Sequence, residues 1–318
     1  MPTVIPKRHR PIFDGLESDE EKFKVAMAEY NELKDPDENG LDFSNKTSMW
    51  IAFERDIESQ REDRLFHDPL AKHFSEPYGK RLSDAMSLGL AFSVFDPPGA
   101  DIEFGLEGHV MYTAARTKLI SNQMEEWLSD MTGECQVLNL GAGLDTRAYW
   151  QDSLKKVQSY WEIDTQSVMK HKQKILDQLH AKGELPPTIC PRKPIIMDFS
   201  KESIADLPSK HGYAANIPAC WILEGLIMYL KREQVEQLID RLSSLSASGS
   251  FLIVNFSDNP KAPADACPPI AEIDQRLEGT GWRQHKRLMF GEEGFNFGRY
   301  PDGKPANKTL GFAMYQKA

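Results

Sequence analysis

An apolar run that ends in a glycine-rich turn is the feature that most constrains how this chain can fold. Residues 135–140, Cys-Gln-Val-Leu-Asn-Leu, have the length and composition of a buried parallel strand, and Gly141 and Gly143 follow directly. Because glycine has no Cβ atom, the backbone can turn sharply there and a ligand can lie directly on it. Residues 144–149 are predicted to open the helix behind the strand. The stretch favours an α/β fold with a nucleotide-type binding turn over an ordinary strand-to-helix turn.

The residues around the two glycines indicate which nucleotide such a turn would take. A dinucleotide fingerprint has a third glycine, which lets helix and strand pack closely around a pyrophosphate, and Thr146 occupies that position. The turn also carries Asp145, whose negative charge opposes a phosphate at a helix start. A cofactor without a phosphate suits the turn better, and S-adenosylmethionine is such a cofactor. A nicotinamide-dependent oxidoreductase is the alternative, since it would use the same Gly141, Gly143 and Asp164.

Three later strand-like runs each end on a carboxylate. They are residues 157–163 followed by Asp164, residues 194–197 followed by Asp198, and residues 219–223 followed by Glu224. Packing of a sheet does not require an acid there, whereas ligands of open α/β sheets bind outside the carboxyl ends of the strands. Asp164 lies about 20 residues after the glycine turn, the spacing of one strand-helix-strand step that puts an acid beside the ribose hydroxyls. The acids together predict a ligand site at this edge.

These motifs and a second set near the N-terminus resemble one known family. The motifs are residues 140–148 (LGAGLDTRA), 161–164 (WEID), 197–199 (MDF) and 223–230 (LEGLIMYL), with residues 47–48 (TS), 58–71 (ESQREDRLFHDPLA) and 115–117 (ART) upstream. They look like the leucine carboxyl methyltransferase-like branch of class I S-adenosylmethionine-dependent methyltransferases, which includes polyketide O-methyltransferases. The resemblance covers roughly residues 45–318. It implies a Rossmann-like, seven-stranded, mostly parallel sheet with helices on both faces and an antiparallel last strand, plus an N-terminal helical cap.

The resemblance also implies which residues bind the cofactor. The turn Gly141, Ala142 and Gly143 is expected to contact it through the backbone. Arg116 is expected at the methionine carboxylate, which a guanidinium binds with two charge-assisted hydrogen bonds; on the residues alone, it is a surface arginine of an amphipathic helix. Lys46 is a further candidate at that end. The other expected contacts are the ribose hydroxyls at Asp164, the adenine amino group at Asp198, a ring nitrogen at the backbone N–H of Phe199, and the methionine ammonium at Glu224.

We expect one structural unit in three segments: a helical extension (1–43), a helical cap or lid (44–130) and the Rossmann-like cofactor-binding domain (131–318). In the extension, a capping box at residues 18–21 and apolar residues at helical spacing predict a helix over about 19–34. That helix is either a lid over the substrate or a helix packed on the main domain. Further helices are predicted at 44–59, 66–74, 113–128 and 231–246, with a loop at 97–99.

The end of the chain is predicted to complete the sheet. Residues 249–256 have the pattern of a fifth strand, and residues 281–288 and 309–315 are expected to form an antiparallel hairpin at the sheet edge. Residues 291–308 between them form a long loop rich in glycine and aromatic residues. Because loops of that length are uncommon unless functional, we expect this one to border the acceptor pocket.

Composition excludes several classes of function. The formal net charge of −10 argues against a nucleic-acid partner, which needs a basic face. No apolar run approaches the ~20 residues of a membrane span, so no membrane partner is expected. Four dispersed cysteines without a C-x-x-C pair indicate reduced thiols and a cytoplasmic protein. Dispersed histidines favour no metal site. Nothing in the sequence predicts an oligomeric state.

The predicted reaction is O-methylation of a hydroxyl group on a small molecule, of polyketide or polyketide-peptide type. The acidic surface and the aromatic loop fit a bulky, mostly apolar acceptor. An alcohol must lose a proton during attack, whereas a carboxylate is already ionised at neutral pH. His109 is therefore the first candidate for a base, with a structural histidine in a loop as the alternative, and Glu107 and His285 follow. Methyl-ester formation on a carboxylate is the alternative within the family, and a catalytically silent scaffold is another.

Overall fold

A computed structural model describes residues 8–90, 102–258, 262–300, 303 and 305–318, so the loop expected at 97–99 lies outside the described residues. The helices are α1 (Asp19–Lys34), α2 (Phe43–Ser59), α3 (Ala71–Ser75), α4 (Gly79–Leu90), α5 (Ile102–Asp130), α6 (Gln166–Ala181), α7 (Arg232–Ser244) and α8 (Ile270–Glu278). The strands are β1 (Gln136–Leu140), β2 (Ser159–Asp164), β3 (Arg192–Ile196), β4 (Ala219–Leu223), β5 (Phe251–Ser257), β6 (Trp282–Met289) and β7 (Leu310–Lys317).

These seven strands form one sheet in the order β3-β2-β1-β4-β5-β7-β6. β1 pairs in parallel with β2 and β4, and β7 runs antiparallel between β5 and β6. The strand order reverses at β1, where Leu140 stands opposite Ile163 on one side and Leu223 on the other. Such a switch point opens a crevice at the carboxyl ends of the strands, where ligands bind. The predicted seven-stranded, mostly parallel sheet with an antiparallel last strand is confirmed.

Successive residues of the central strands serve two separate cores, because side chains of a strand point alternately to opposite faces. Val137 and Cys220 pack into the core that lies under α5 and α6, whereas Leu138 and Trp221 pack into the core under α7 and α8. A shift of one residue in register would exchange the two sets, so burial on both faces fixes the strand pairing. Helices therefore cover both faces of the sheet, as predicted.

The connection from β1 to β2 contradicts the prediction of a helix that opens at residues 144–149. It consists of two 3₁₀ turns, Arg147–Tyr149 and Asp152–Lys156. Residues 144–149 are buried without interruption, whereas a helix on the face of a sheet exposes one side in every turn. The side chain of Asp145 accepts the backbone N–H of Arg147 at 2.7 Å, a local bond that competes with helix formation.

The N-terminal helices form the layer above the site. Ser18 Oγ accepts the backbone N–H of Glu21, and the Glu21 carboxylate accepts the backbone N–H of Ser18, so the predicted capping box starts α1. α1 packs mainly on α4, which the sequence analysis did not predict. Leu33 of α1, Trp50 of α2 and Leu82 of α4 share a small core. The predicted helix at 19–34 is thus confirmed, and it is packed on the cap helices.

The predicted helix at 66–74 is reduced to the short α3. Oδ1 of Asp68 accepts the backbone N–H groups of Leu70 and Ala71 at 3.0 and 3.1 Å. Because a side-chain acceptor of this kind satisfies the first free N–H groups of a helix, it marks where the helix begins. The predicted helices at 44–59 and 113–128 are confirmed as α2 and α5, the second being longer than predicted, with its N-terminal part preceding residue 113.

Candidate active site

A cavity of about 270 Å³ lies at the carboxyl ends of β1, β4 and β5, between the sheet and the helices α2 and α5. From α5, His109, Tyr112 and Arg116 line it, and they share one helix face because they are three and four residues apart. Trp50 of α2 faces them, and the turn at 141–145 closes the sheet side. The predicted edge of the sheet and the cap helices therefore meet at one site.

The glycine turn has the conformation that its sequence requires. Gly141 and Gly143 have φ angles of +69° and +50°, a left-handed region that residues with a Cβ atom rarely adopt. A Cβ atom at position 143 would lie 3.1 Å from Oγ of Ser48 on α2. The backbone N–H of Gly143 donates to Oδ2 of Asp164 at 2.6 Å. The turn is thus held between the end of β2 and the cap.

Four charged side chains lie at the cavity floor and directly behind it; we call Arg116, Asp145, Arg147 and Glu224 the charged floor. Glu224 lies between two guanidinium groups, with Arg116 Nε 2.9 Å from its Oε1 and Arg147 Nη1 3.0 Å from its Oε2. Arg147 also pairs with Asp145. All but Glu224 are less than 9% exposed. Cations and anions alternate, which matters because an unpaired buried charge costs several kcal/mol.

Two further cations hold the glycine turn through its backbone carbonyl groups. Nη2 of Arg55 donates to the backbone carbonyl of Leu144 at 2.6 Å. Nζ of Lys172, which is fully buried beneath the sheet, donates to the backbone carbonyl of Asp145 at 2.5 Å and pairs with Glu162 at 2.9 Å. Charge-assisted bonds of this type are stronger than neutral ones. Hydrogen bonds from these two side chains therefore fix the position of the glycine turn.

The two aspartates beside the turn have opposite pKa shifts. For Asp145, burial acts to raise the pKa, but Arg147, Arg55 and Lys172 outweigh it, and the pKa lies below its ordinary value. For Asp164, burial raises the pKa, and the N–H groups that it accepts compensate only in part. Asp145 is consequently a firmly ionised member of the charged floor, whereas Asp164 is the carboxylate that protonates more readily.

The opposite side of the cavity is apolar and aromatic. We call it the aromatic wall, formed by Trp50, Met86, Tyr112, Met228 and Tyr229. Tyr229 is 68% exposed, so it lies at the rim. Asn255 Nδ2 donates to the Tyr112 hydroxyl at 2.7 Å, and burial raises the pKa of Tyr112 to about 12. At neutral pH this tyrosine is therefore protonated and uncharged.

His109 brings an ionisable group into the aromatic wall. Its ring lies on the Trp50 ring, with 4.2 Å between the centroids. Its Nδ1 atom lies 2.7 Å from Oε2 of Glu54, a carboxylate of α2 with no exposed surface. A histidine oriented by a buried carboxylate at the edge of a cavity has the geometry of a general base or acid.

A model of the leucine carboxyl methyltransferase family matches residues 48–243. That range contains the glycine turn, the charged floor, Glu54 with His109, and the strand-end acids Asp164, Asp198 and Glu224. The chain belongs to this family. Membership confirms the resemblance drawn from the motifs, and it accounts for a sheet edge that carries carboxylates instead of a phosphate-binding glycine.

Relatives of this methyltransferase agree on the cofactor. A Streptomyces coelicolor protein assigned as an S-adenosyl-L-methionine-dependent methyltransferase is 32% identical over 210 residues, which cover 64% of this chain and 66% of that one. A Streptomyces avermitilis protein with the same assignment is 30% identical over 259 residues, 76% of this chain and 84% of that one. A Thermobifida fusca crystal structure described as a methyltransferase aligns over 82% of this chain and 96% of its own, with 14% identity and a TM-score of 0.49. On the family match and the two Streptomyces relatives, the chain is an S-adenosylmethionine-dependent methyltransferase, and the oxidoreductase alternative is set aside.

Five of the residues predicted for the cofactor line the cavity, namely Arg116, Gly141, Ala142, Gly143 and Glu224. Asp164 joins the site through its bond to the glycine turn. Asp198 and Phe199 are not among the lining residues. The carboxylate of Asp198 accepts the N–H of Ser200 at 3.0 Å and pairs with Lys201 at 2.7 Å in the turn after β3. The two residues predicted for the adenine therefore lie apart from the cavity itself.

Lys46 does not reach the cavity, contrary to its suggested place at the methionine end. It is 2% exposed, and its Nζ atom donates to the backbone carbonyl of Asp35 at 2.5 Å. The same atom lies 5.0 Å from the centroid of the Tyr78 ring. Lys46 lies on the face of α2 that turns toward the end of α1, where it joins the extension to the cap.

Of the three candidate bases in the methyltransferase, only His109 lines the cavity. The Glu107 carboxylate pairs with Arg8 at 3.0 Å and with Arg10 at 2.6 Å, so it already has two cationic partners on another face of α5. His285 is exposed on β6 and contacts Phe251 at the start of β5. That is the opposite end of the sheet from the cavity. These positions disagree with a catalytic role for Glu107 or His285.

The described part of the aromatic loop at 291–308 does not border the cavity, contrary to expectation. Phe295 is fully buried, and its ring centroid lies 6.1 Å from that of Tyr112. Arg299 pairs with the buried Glu58 of α2 at 2.8 Å. The aromatic residues of this loop therefore pack in the core behind the aromatic wall, and their apolar surface is not available to the cavity.

Several residues of the site were missed by the sequence analysis. Asn139 and Asn255 are polar residues inside apolar strands, and that interruption was an available signal. Asn139 Nδ2 donates to Asp145 at 3.2 Å, and Asn255 Oδ1 accepts the N–H of Gly225 at 3.2 Å. Glu54 gave no such signal, because a glutamate in an amphipathic helix is normally solvated.

Three absences apply to the residues that the structure describes. In those ranges, no three histidine, cysteine, aspartate or glutamate side chains are grouped as a metal ion would require. None of the described helices is long and apolar enough to cross a membrane. All four cysteines, which lie within the described ranges, are free thiols.

Proposed function

We propose that this methyltransferase transfers the methyl group of S-adenosylmethionine to a hydroxyl group of a small, mostly apolar molecule of polyketide or polyketide-peptide type. The observation that supports this best is His109, which lies in the aromatic wall, bonds to the buried Glu54 and shares a helix face with Arg116. An alcohol acceptor needs a base at such a place, whereas a carboxylate acceptor does not.

The cavity fits the methionine end of the cofactor by its chemistry. Oδ1 of Asn139 is buried there without a hydrogen-bond partner among the described residues, and Nε of Arg116 contacts Glu224 at 2.9 Å without hydrogen-bond alignment. Arg116 is suited to the methionine carboxylate, and Glu224 to the ammonium group. The glycine turn offers backbone groups without a Cβ atom between them and a ligand. When bound, the sulfonium supplies an electrophilic methyl group with a good leaving group attached.

The adenosine end would lie along the ends of β2 and β3. Each carboxylate oxygen of Asp164 accepts one backbone N–H, from Gly143 at 2.6 Å and from Thr165 at 2.7 Å. Since a carboxylate oxygen can accept two bonds, both retain capacity for ribose hydroxyls. Asp198 is suited to the adenine amino group and the backbone N–H of Phe199 to a ring nitrogen.

His109 would act on the acceptor. Its ring plane is fixed by Trp50 and its Nδ1 atom by Glu54, so the ring is oriented before the acceptor enters. The aromatic wall around it excludes water and favours an apolar acceptor. General bases placed in this way contribute typically about 10²- to 10⁴-fold to a rate.

The proposal extends to the division of the chain. Residues 131–318 form the cofactor-binding domain, and residues 44–130 form the cap, since α2, α4 and α5 contribute Trp50, Met86 and Tyr112 to the aromatic wall. Residues 1–43 brace that cap: α1 packs on α4, and Oδ2 of Asp42 accepts a hydrogen bond from Ser167 of α6 at 2.9 Å. The extension is therefore attached to both the cap and the domain below it.

A carboxylate acceptor is the second candidate, and the name of the family favours it. In that reaction the acceptor arrives ionised, and His109 has no proton to take. The two candidates consequently differ in one observable, the dependence of turnover on His109.

A matched pair of acceptors tests the proposal. Wild type, His109→Ala and His285→Ala are assayed for methyl transfer to 2-naphthol and to 2-naphthoate, which differ in the acceptor group. We expect turnover of 2-naphthol that falls by about 10²-fold or more in His109→Ala. His285→Ala, the exposed control, should match wild type. Turnover of 2-naphthoate alone, unchanged by His109→Ala, would contradict the hydroxyl proposal and support methyl-ester formation.

A further inference from the structure

Glu54 is a buried carboxylate with an unusually complete set of donors. It has no exposed surface, and it lies on α2 opposite α5. Its Oε1 atom accepts from Trp50 Nε1 at 2.6 Å and from Ser83 Oγ at 3.3 Å. Its Oε2 atom accepts from Thr113 Oγ1 at 2.5 Å and lies 2.7 Å from His109 Nδ1. Donors from three helices, α2, α4 and α5, therefore converge on one side chain.

The charge of Glu54 is the part that packing does not explain. In a glutamine, the carbonyl oxygen could accept from Trp50 and Ser83 and the amide N–H could donate to the Thr113 hydroxyl, without the cost of burying an ion. Burial acts to raise the pKa of Glu54, but His109 and the hydrogen bonds from His109 and Thr113 outweigh it and lower the pKa. Arg8 also favours the ionised form, although its Nε bonds to Glu107 at 3.0 Å. Glu54 is therefore ionised at neutral pH.

An ionised carboxylate decides which ring nitrogen of His109 carries a proton. A carboxylate can only accept hydrogen bonds, so the proton in the 2.7 Å contact belongs to Nδ1 of the imidazole. In the neutral ring, Nε2 is then the atom with a lone pair, and it is the basic atom of the ring. A glutamine at position 54 removes this constraint, since its amide can donate to Nδ1 as well as accept from it.

We infer that Glu54 is a positioning residue for methyl transfer: it fixes His109 as the Nδ1–H tautomer and stabilises the imidazolium that forms during the reaction. This inference rests on the proposed hydroxyl acceptor. As the acceptor oxygen bonds to the methyl carbon, the electron pair of the S–C bond returns to sulfur, and the hydroxyl proton moves to Nε2 of His109. The positive charge gained by the ring is offset by the carboxylate of Glu54, in the way that a carboxylate supports histidine in hydrolase triads.

The substitution Glu54→Gln tests the inference, and Glu58→Gln is its control. Glu58 lies one helical turn further along α2, is also fully buried, and accepts hydrogen bonds from Arg299 and from the N–H of Leu65. Both substitutions remove a buried charge from the same helix. Only the first removes the charge beside His109, so a general loss of packing should affect both variants, and a loss of positioning only one.

Three measurements separate the outcomes. On wild type, ¹⁵N-histidine NMR should show His109 protonated on Nδ1, and Glu54→Gln should lose that single tautomer. With 2-naphthol, Glu54→Gln should lower kcat by about 10²-fold, within the range for general-base catalysis, with KM changed by less than about twofold. Calorimetry with S-adenosylmethionine should give equal affinities for wild type, Glu54→Gln and Glu58→Gln, and Glu58→Gln should keep the wild-type tautomer and kcat.

An Nε2-protonated His109 in wild type would overturn the inference without any variant, so it stays testable if Glu54→Gln fails to fold. A folded Glu54→Gln variant with wild-type kcat would also overturn it. If wild type instead methylates 2-naphthoate alone, the hydroxyl proposal fails, and the catalytic part of the inference fails with it. In that case the ¹⁵N NMR spectrum still shows whether Glu54 orients His109 or only connects the helices α2, α4 and α5.

Discussion

The charged floor and the aromatic wall face each other across one cavity, but they solve the problem of burial differently. In the floor, two arginines and two carboxylates neutralise one another through short contacts such as the 3.0 Å pair of Arg147 and Glu224. In the wall, apolar surface is interrupted by one hydrogen-bonded pair, Glu54 with His109. Under the proposed function, the floor binds the methionine zwitterion by exchanging ion-pair partners, with no change in its net charge. The wall then binds a neutral acceptor and supplies one base.

The largest effect is expected when Arg147, which pairs with both carboxylates of the charged floor, is removed. Arg147→Met should lower the free energy of unfolding by about 3 to 5 kcal/mol, because it leaves Asp145 and Glu224 buried with a lost counter-ion. Burial acts to lower the pKa of Arg147, but the two carboxylates raise it above its ordinary value, as expected for a cation held between anions. Urea denaturation followed by circular dichroism measures the loss.

Two control variants are compared with Arg147→Met for their loss in free energy of unfolding. Arg232→Met removes a partly exposed pair with Glu272 and should cost less than about 1 kcal/mol. Met86→Leu makes a volume-conserving change in the aromatic wall and should cost less than about 1.5 kcal/mol. A loss in Arg147→Met no larger than that in Arg232→Met would show that the floor is not a stabilising network.

The sheet, with the acids and glycines at its edge, was largely predictable from the sequence. A buried parallel strand is a continuous apolar run, and the acid or glycine that ends it stands out, as at Gly141, Asp164 and Glu224. The pairing within the floor was not predictable. Arg147 follows Asp145 by two residues, and only the 3₁₀ turn, which replaces the predicted helix, brings both toward Glu224.

The wall was less accessible to sequence reasoning, for a physical reason. Trp50, Glu54 and Tyr112 lie on helices. On a helix, residues that face a cavity recur at the same spacing as residues that face a core, so the sequence pattern does not separate the two. His109 was found through the chemistry that an alcohol acceptor needs. Its partner Glu54 lies 55 residues away in the chain, so only the packing of α2 on α5 reveals it.

A smaller effect is expected at the edge of the floor, where Asp164 supports the glycine turn. Asp164→Ala should weaken S-adenosylmethionine binding by about 1.5 to 3 kcal/mol, the scale for hydrogen bonds to a charged group. The variant loses the proposed contact with the ribose and also the 2.6 Å bond to Gly143. Calorimetry measures the affinity, and Asp177→Ala, an exposed change on α6, is the control. Equal affinity in Asp164→Ala, with the fold intact, would remove Asp164 from the site.

The smallest expected effect is a pH dependence of cofactor binding that distinguishes Asp164 from Asp145. Burial raises the pKa of Asp164. Its contribution to the free energy of folding is therefore present below the pKa of the unfolded chain and is lost as the pH rises through the folded pKa. The cations lower the pKa of Asp145, so its contribution is lost as the pH falls through the folded pKa. In the proposed binding mode, ribose hydroxyls donate to the ionised form of Asp164. Acidification should therefore weaken S-adenosylmethionine binding, by about twofold when the pH equals that raised pKa, because half of the sites are then protonated. Calorimetry over a pH series should show this loss in wild type and not in Asp164→Asn. The same loss in both proteins would assign it to a carboxylate of the charged floor instead.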